Sequence, residues 1–147
     1  DEPGKLEESR EKRVISATRL RDCVTRDMSW LLNCVSMDAD NDLSEYPEVA
    51  RSVLNFGIPD LTGMALSGIN PDVLQRQVRD AILAFEPRLT ANTLRVTATA
   101  MSKRMDRQAL VFNIDSEMWA QPIPLNLYLK PEVDLETGNF KVSEGFG

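Results

Sequence analysis

The sequence predicts an α+β fold in which N-terminal helices pack on one face of a small antiparallel-rich or mixed β-sheet. Two observations lead to this prediction. Apolar residues recur at helical spacing up to residue 85, and they alternate with polar residues from residue 93 onward. Helical segments followed by strand segments are typical of folds that keep helices and sheet apart. The chain has 147 residues, which suggests a single domain, taken as residues 14–147.

The N-terminal region divides into a tail and a helix. Residues 1–13 are mostly polar or charged and include a Pro-Gly pair, so we predict a disordered or partner-ordered tail. The first helix is predicted over residues 17–35, with Ser16 as its N-cap. Its apolar stripe consists of Leu20, Val24, Met28, Leu31, Leu32 and Val35.

Several other side chains of this helix invite an interpretation. Trp30 lies beside the apolar stripe and is expected in the core, whereas Asp27 and Asn33 are expected to cap or orient neighbouring loops. Cys23 and Cys34 are separated by roughly 16 Å of helix, and a disulfide needs Cα atoms about 5.5 Å apart. We therefore expect reduced thiols, as in a cytosolic protein.

The next two helices are marked by prolines. A short second helix is predicted over residues 47–55, with Pro47 in its first turn and Gly57 at a positive φ behind its last turn. The third helix is predicted over residues 71–85, with Asn70 as its N-cap. Its apolar stripe consists of Leu74, Val78, Ala81, Ile82 and Phe85.

Strands follow in the second half of the chain. Residues 93–101, 109–115 and 123–129 each alternate between apolar and polar side chains, which predicts half-buried strands. Residues 134–142 predict a hairpin with Gly138 at a positive φ, leading into a last short strand. Prolines within and beside the third strand cannot donate ladder hydrogen bonds, so this strand is expected to be an edge at least in part.

The composition argues against several classes of function. A formal net charge of -6 lacks the basic surface of a nucleic-acid binder, and no apolar run approaches the roughly 20 residues of a membrane helix. The absence of histidine removes imidazole-dependent catalysis and most zinc sites. Asp38, Asp40 and Asp42 resemble the start of a calcium loop, but Leu43 occupies the glycine position. We therefore expect that the protein is not an enzyme and binds no metal, cofactor or nucleic acid. We also expect that it does not insert directly into a membrane.

The tripeptide Glu86-Pro87-Arg88 is the candidate site. Pro87 disfavours the α conformation at Glu86, so the third helix is expected to end before it. Glu86 and Arg88 could form an exposed ion pair with no function, which would contribute at most about 1 kcal/mol to stability. They could equally form a partner contact, because arginine suits bidentate bonds and proline stiffens the segment that presents it. Use of Glu86 as a glycosidase acid is not expected, because a neighbouring arginine favours the ionised carboxylate.

Five stretches occur in the order found in one family: TRDMSWLLN, EYPEVARSVLNFGIPDLTG, AILAFEPRL, LVFNID and DLETGNFKV. Over residues 20–142 the chain resembles the gp25-like family of contractile-machine baseplate proteins, and within it the TssE branch of bacterial type VI secretion. The YPEVARSVLNFGIPD run and the Glu-Pro-Arg triplet after a helix are the strongest motifs.

The resemblance implies a gp25-like fold and a structural role that joins the first sheath ring to the baseplate wedge and templates sheath assembly. It implies the wedge proteins TssF, TssG and TssK and the sheath proteins TssB and TssC as partners. It also implies a cytoplasmic location, in a baseplate docked at the inner membrane. Contacts with the sheath would use open sheet edges, to which no residues are assigned.

In the family the Glu-Pro-Arg motif contacts the core bundle of the wedge, and this partner-binding role carries over to Glu86, Pro87 and Arg88. Glu86 is then expected to orient Arg88. A second branch of the family, the IraD-type anti-adaptors, binds a response regulator instead. The YPEVARSVLNFGIPD run and the DLETG hairpin favour the baseplate branch.

Overall fold

The computed structural model describes residues 3–37, 41–62, 68–103, 107–119 and 123–145. All of its helices precede all of its strands, so the predicted α+β arrangement is confirmed. The helices are α1 (Pro3–Asn33), α2 (Pro47–Ala50) and α3 (Pro71–Phe85), with a 3-10 turn at Val53–Asn55. The strands are β1 (Arg95–Lys103), β2 (Arg107–Met118), β3 (Leu125–Leu129), β4 (Glu132–Asp134) and β5 (Phe140–Lys141).

Helix α1 is longer than the sequence predicts. It begins at Pro3 instead of residue 17, so the predicted N-cap Ser16 is wrong because it lies inside the helix. Residues 3–13, predicted as a disordered or partner-ordered tail, have a helical backbone. The segment 5–13 is rich in Glu, Lys and Arg, which have high helix propensity and leave the helix unbroken. The low apolar content of this segment therefore does not prevent a helix.

The other two helices differ in how well they match their predictions. Helix α2 is shorter than predicted: it ends at Ala50, and Arg51 and Ser52 separate it from the 3-10 turn. Gly57 has φ 130°, and a Cβ there would collide with the carbonyl group of Cys34. Helix α3 has the predicted bounds, and the Asn70 side chain caps it by accepting a hydrogen bond from the Asp72 N–H at 3.1 Å.

The five strands form one antiparallel sheet. Its order is β1-β2-β4-β5, and β3 pairs with the C-terminal half of β2. Strand β2 is therefore central. Strand β3 was predicted to be an edge at least in part, and it is one in part: its Leu129 also forms an isolated bridge to Glu144. Gly138 in the β4–β5 hairpin has φ 73°, which confirms the predicted positive-φ position.

One face of the sheet and the helices α1 and α3 together enclose the core. Strand residues in this core include Val96, Leu110, Phe112, Ile114, Met118, Leu127, Leu129, Val133 and Phe140. The helices contribute the predicted stripe residues Val24, Met28, Leu31, Leu32, Leu74, Val78 and Ile82. Val35 is wrongly predicted as core: it lies beyond the end of α1 and is exposed. Within the described ranges, no helix has the length and apolarity needed to cross a membrane.

Candidate functional site

The Glu-Pro-Arg tripeptide forms a corner between the end of α3 and the sheet. Glu86 caps α3 in a non-helical conformation (φ -125°, ψ 81°), and its N–H still donates to the Ile82 carbonyl at 2.8 Å. Pro87 disfavours the α conformation at Glu86. The helix ends at Phe85, which confirms the predicted end. On the sheet side, the carbonyl of Arg88 accepts a hydrogen bond from the Trp119 N–H at 2.9 Å. The corner is therefore anchored at both ends by backbone hydrogen bonds.

Glu86 and Arg88 form a bidentate ion pair across the proline. Arg88 Nε donates to Glu86 Oε1 at 2.7 Å and Nη2 donates to Oε2 at 2.6 Å. The backbone N–H of Arg88 donates to the same Oε1 at 3.1 Å. The Glu86 side chain is 4% exposed and the Arg88 side chain 34%. The expected orientation of Arg88 by Glu86 is thus confirmed, and the buried carboxylate has the partners that its burial requires.

A second carboxylate, from α1, holds the same guanidinium. Arg88 Nη2 donates to Asp27 Oδ2 at 2.5 Å, across 61 residues of sequence. This hydrogen bond lowers the pKa of Asp27, and the hydrogen bond to Glu86 is the main cause of a raised pKa at Arg88. Asp27 also accepts a hydrogen bond from Arg26 Nε at 3.3 Å. Asp27 was expected to orient a neighbouring loop. This is confirmed, because Asp27 holds the side chain of Arg88.

Asn33 has a structural role elsewhere, as expected. Its Oδ1 accepts the Phe140 N–H at 2.8 Å and its Nδ2 donates to the Phe140 carbonyl at 3.2 Å. A side-chain amide thus completes the hydrogen bonding of a residue in the short strand β5. This contact joins the end of α1 to the β4–β5 hairpin.

Trp30 is not in the core, which corrects the sequence prediction. Its side chain is 64% exposed, and the guanidinium of Arg26 lies 5.8 Å from its ring centroid. Position 30 precedes the buried Leu31 and lies on the flank of the stripe, on the same side as Asp27 three residues earlier. An indole on this flank faces solvent next to the Glu-Pro-Arg corner.

The corner and Trp30 border one open depression. Its volume is about 460 Å³, and its lining residues are Asp27, Trp30, Leu31, Phe56, Phe85, Glu86, Pro87 and Arg88. Phe56 and Phe85 meet edge to face with ring centroids 5.3 Å apart, which gives the depression an aromatic wall. We call the rim residues Trp30, Phe56, Phe85, Pro87 and Arg88 the arginine corner. It combines a fixed guanidinium with exposed apolar surface.

The chemistry of this corner suits recognition. Within the described residues, the side-chain hydrogen bonds of Arg88 use Nε and Nη2, and none uses the two N–H donors of Nη1. Both carboxylates are held by Arg88, and the lowered pKa of Asp27 opposes its use as a general acid.

The part of the chain that the structure describes contains no group of three or more metal-ligating side chains. In the acidic loop considered as a calcium site, Asp38 and Asp40 lie outside the described residues. Asp42 accepts a hydrogen bond from the Ser44 N–H at 3.0 Å, which is an ordinary turn contact.

Fold and site together define a small α+β domain with a rigid, solvent-accessible arginine corner. Residues 18–123 match the family model described as baseplate wedge protein gp25, and the chain belongs to this family. The matched range includes the whole arginine corner. Membership of this family supports a structural role of the chain in a baseplate. Neither a curated protein nor a solved structure matches the chain in the corresponding comparisons.

Proposed function

We propose that this chain is a structural adaptor of a type VI secretion baseplate, linking the wedge to the first sheath ring and templating sheath assembly. The proposed location is the cytoplasm, in a baseplate docked at the inner membrane. Family membership supports the baseplate role, and the arginine corner supports a specific protein contact. The proposed partners are TssF, TssG and TssK in the wedge and TssB and TssC in the sheath.

The observation that carries the wedge contact is the double clamp on Arg88. A free arginine side chain loses considerable rotamer freedom on binding, and this cost weakens an interface. Here Glu86 and Asp27 already fix the guanidinium, and the Arg88 side chain is still 34% exposed. A partner therefore meets a guanidinium that is already in place. A carbonyl or carboxylate oxygen of the partner can accept a hydrogen bond from Nη1 of Arg88.

Exposed apolar surface around the guanidinium supplies the second half of the contact. Trp and Arg dominate the residues that contribute most binding energy in protein interfaces. Trp30 and Arg88 border the same depression, so an apolar side chain of the wedge can fill it while a neighbouring oxygen binds Arg88. Glu86 and Pro87 contribute by holding this geometry.

The sheath contact is proposed at an open sheet edge, where backbone groups and not side chains form the contact. Edge strands have unpaired backbone N–H and C=O groups that a strand of another chain can complete. Strand β1 pairs only with β2 within the described residues. The protein would therefore use a side-chain surface for the wedge and a backbone edge for the sheath.

A pull-down tests the proposed function against the anti-adaptor alternative. The tagged chain is incubated with lysate of a strain that expresses a type VI secretion system, and captured proteins are identified by mass spectrometry. We expect TssF, TssG and TssK together with TssB and TssC. Capture of a response regulator without baseplate or sheath proteins would instead support the anti-adaptor function.

A further inference from the structure

Among the described residues, strand β1 is an edge with few of the usual protections. It contains nine residues, and its register with β2 runs without a bulge from Arg95 to Lys103. Natural edge strands are commonly protected by prolines, charges or bulges. The sequence RVTATAMSK has charges only at its two ends and contains no proline. Another device is therefore needed to keep this edge from pairing with other chains.

The backbone geometry identifies which groups of β1 point outward. Ala98 is opposite Phe112 in the register, and the Phe112 N–H donates to the Pro131 carbonyl at 2.8 Å, away from β1. In an antiparallel ladder, two opposite residues either both bond to each other or both point outward. The N–H of Ala98 therefore faces the outer edge of the sheet.

A side chain from α3 accepts a hydrogen bond from this outward N–H. Gln75 Oε1 accepts the Ala98 N–H at 2.8 Å. The amide oxygen of Gln75 thus stands where the carbonyl of an added strand would stand. Because it is a side chain, a change of rotamer removes it without unfolding any backbone.

The outer edge of β3 is protected differently. The chain's own C-terminal segment pairs with it, through hydrogen bonds from the Gly145 N–H to the Tyr128 carbonyl and from the Lys130 N–H to the Ser143 carbonyl, each 2.9 Å. Opening this edge requires backbone to be peeled away. Opening β1 at Ala98 requires the Gln75 side chain to move, so β1 is an easier edge for strand addition than β3.

We propose that Gln75 is a removable guard of the β1 edge, and that the strand which replaces it comes from a sheath subunit. Identification of the sheath as the partner rests on the proposed function; the guard itself does not. The incoming strand would place a carbonyl against the Ala98 N–H. Its side chains beside Thr97 and Thr99 would be polar, because both threonines are exposed.

The guard is tested without any partner by amide hydrogen exchange. In Gln75→Ala we expect the Ala98 amide to exchange about two- to tenfold faster, because one hydrogen bond is lost. Gln75→Glu keeps an acceptor oxygen and should keep the protection. Gln77→Ala, an exposed glutamine of the same helix, is the matched control and should match the wild type. Unchanged Ala98 exchange in Gln75→Ala would overturn the guard.

The partner is tested by measuring affinity for purified TssB–TssC. Gln75→Ala should bind about two- to tenfold more tightly, because no guard has to be displaced. Ala98→Pro removes the outward N–H without removing a hydrogen bond to β2, and should bind at least tenfold more weakly. A circular dichroism spectrum checks that this variant is folded.

The outcomes separate the two claims. If the wild type binds sheath subunits but Gln75→Ala binds no more tightly, the strand adds elsewhere and the inference is overturned. If the wild type binds no sheath subunits at all, the sheath half of the proposed function fails, and the exchange experiment still decides whether Gln75 guards the edge.

Discussion

Arg88 binds Glu86 through two parallel hydrogen bonds, of 2.7 and 2.6 Å, across the single residue Pro87. The Glu86 side chain is buried and the Arg88 side chain is partly exposed, so a buried carboxylate orients a guanidinium that a partner can meet. Asp27 adds a third support from a different helix. Structure and recognition therefore depend on the same contacts here, and the variants below are chosen to separate them.

Removing Arg88 should destabilise the fold. Arg88→Ala leaves the Glu86 carboxylate buried without its partner, a change that costs about 3–5 kcal/mol for fully buried pairs. Because Arg88 is partly exposed, we expect a loss of about 2–3 kcal/mol in the free energy of unfolding, measured by urea denaturation. The exposed Arg76 is the matched control, and Arg76→Ala should change stability by less than about 0.5 kcal/mol. Equal stability of Arg88→Ala and wild type would contradict the role given to the ion pair.

The contact between Asp27 and Arg88 should contribute to stability in a pH-dependent way. The hydrogen bond from Arg88 lowers the pKa of Asp27 in the folded state. Its stabilising effect is therefore fully present above the unfolded-state pKa of about 3.9 and is lost as the pH falls through the lower folded-state value. In Asp27→Asn we expect reduced stability at pH 7 and a shallower loss of stability below about pH 4. Denaturation series at several pH values would contradict this expectation if both proteins lost stability in parallel.

Loss of the Asn33 side chain should loosen β5. Asn33→Ala removes both hydrogen bonds to Phe140 and leaves the Phe140 N–H without its acceptor. We expect a cost of about 1–3 kcal/mol and faster exchange of the Phe140 amide. The exposed Asn92 is the matched control, and Asn92→Ala should leave this amide unchanged. Unaltered Phe140 exchange in Asn33→Ala would show that the hairpin is held by other contacts.

Local signals predicted most of the fold. Helix α3 was predictable because Asn70, Pro71 and Pro87 each lie within two residues of the helix end that they mark. Gly138 was predictable because a tight turn needs a positive φ. The start of α1 was not predictable, because a polar helix and a polar disordered tail have similar amino-acid compositions. Periodicity alone does not say whether a residue on the flank of a stripe is buried, which is why the exposure of Trp30 was missed.

The candidate site was predictable only in part. The Glu86–Arg88 contact lies within one tripeptide, whereas the contact between Asp27 and Arg88 joins segments 61 residues apart and follows from the packing of α1 beside α3. The same is true of Gln75, whose position against Ala98 depends on where α3 lies relative to the sheet. Such pairs require the three-dimensional arrangement of elements.

The most direct test of the central claim is the affinity of purified TssF–TssG for Trp30→Ala. Trp30 is exposed, so its removal should leave stability within about 0.5 kcal/mol of the wild type. As an interface anchor it should contribute about 2 kcal/mol to binding, so Kd should rise about thirtyfold. Tyr46 is an exposed aromatic residue that does not line the depression at the arginine corner, and Tyr46→Ala should bind like the wild type. A Kd for Trp30→Ala equal to those of Tyr46→Ala and the wild type would contradict binding of the wedge at this corner.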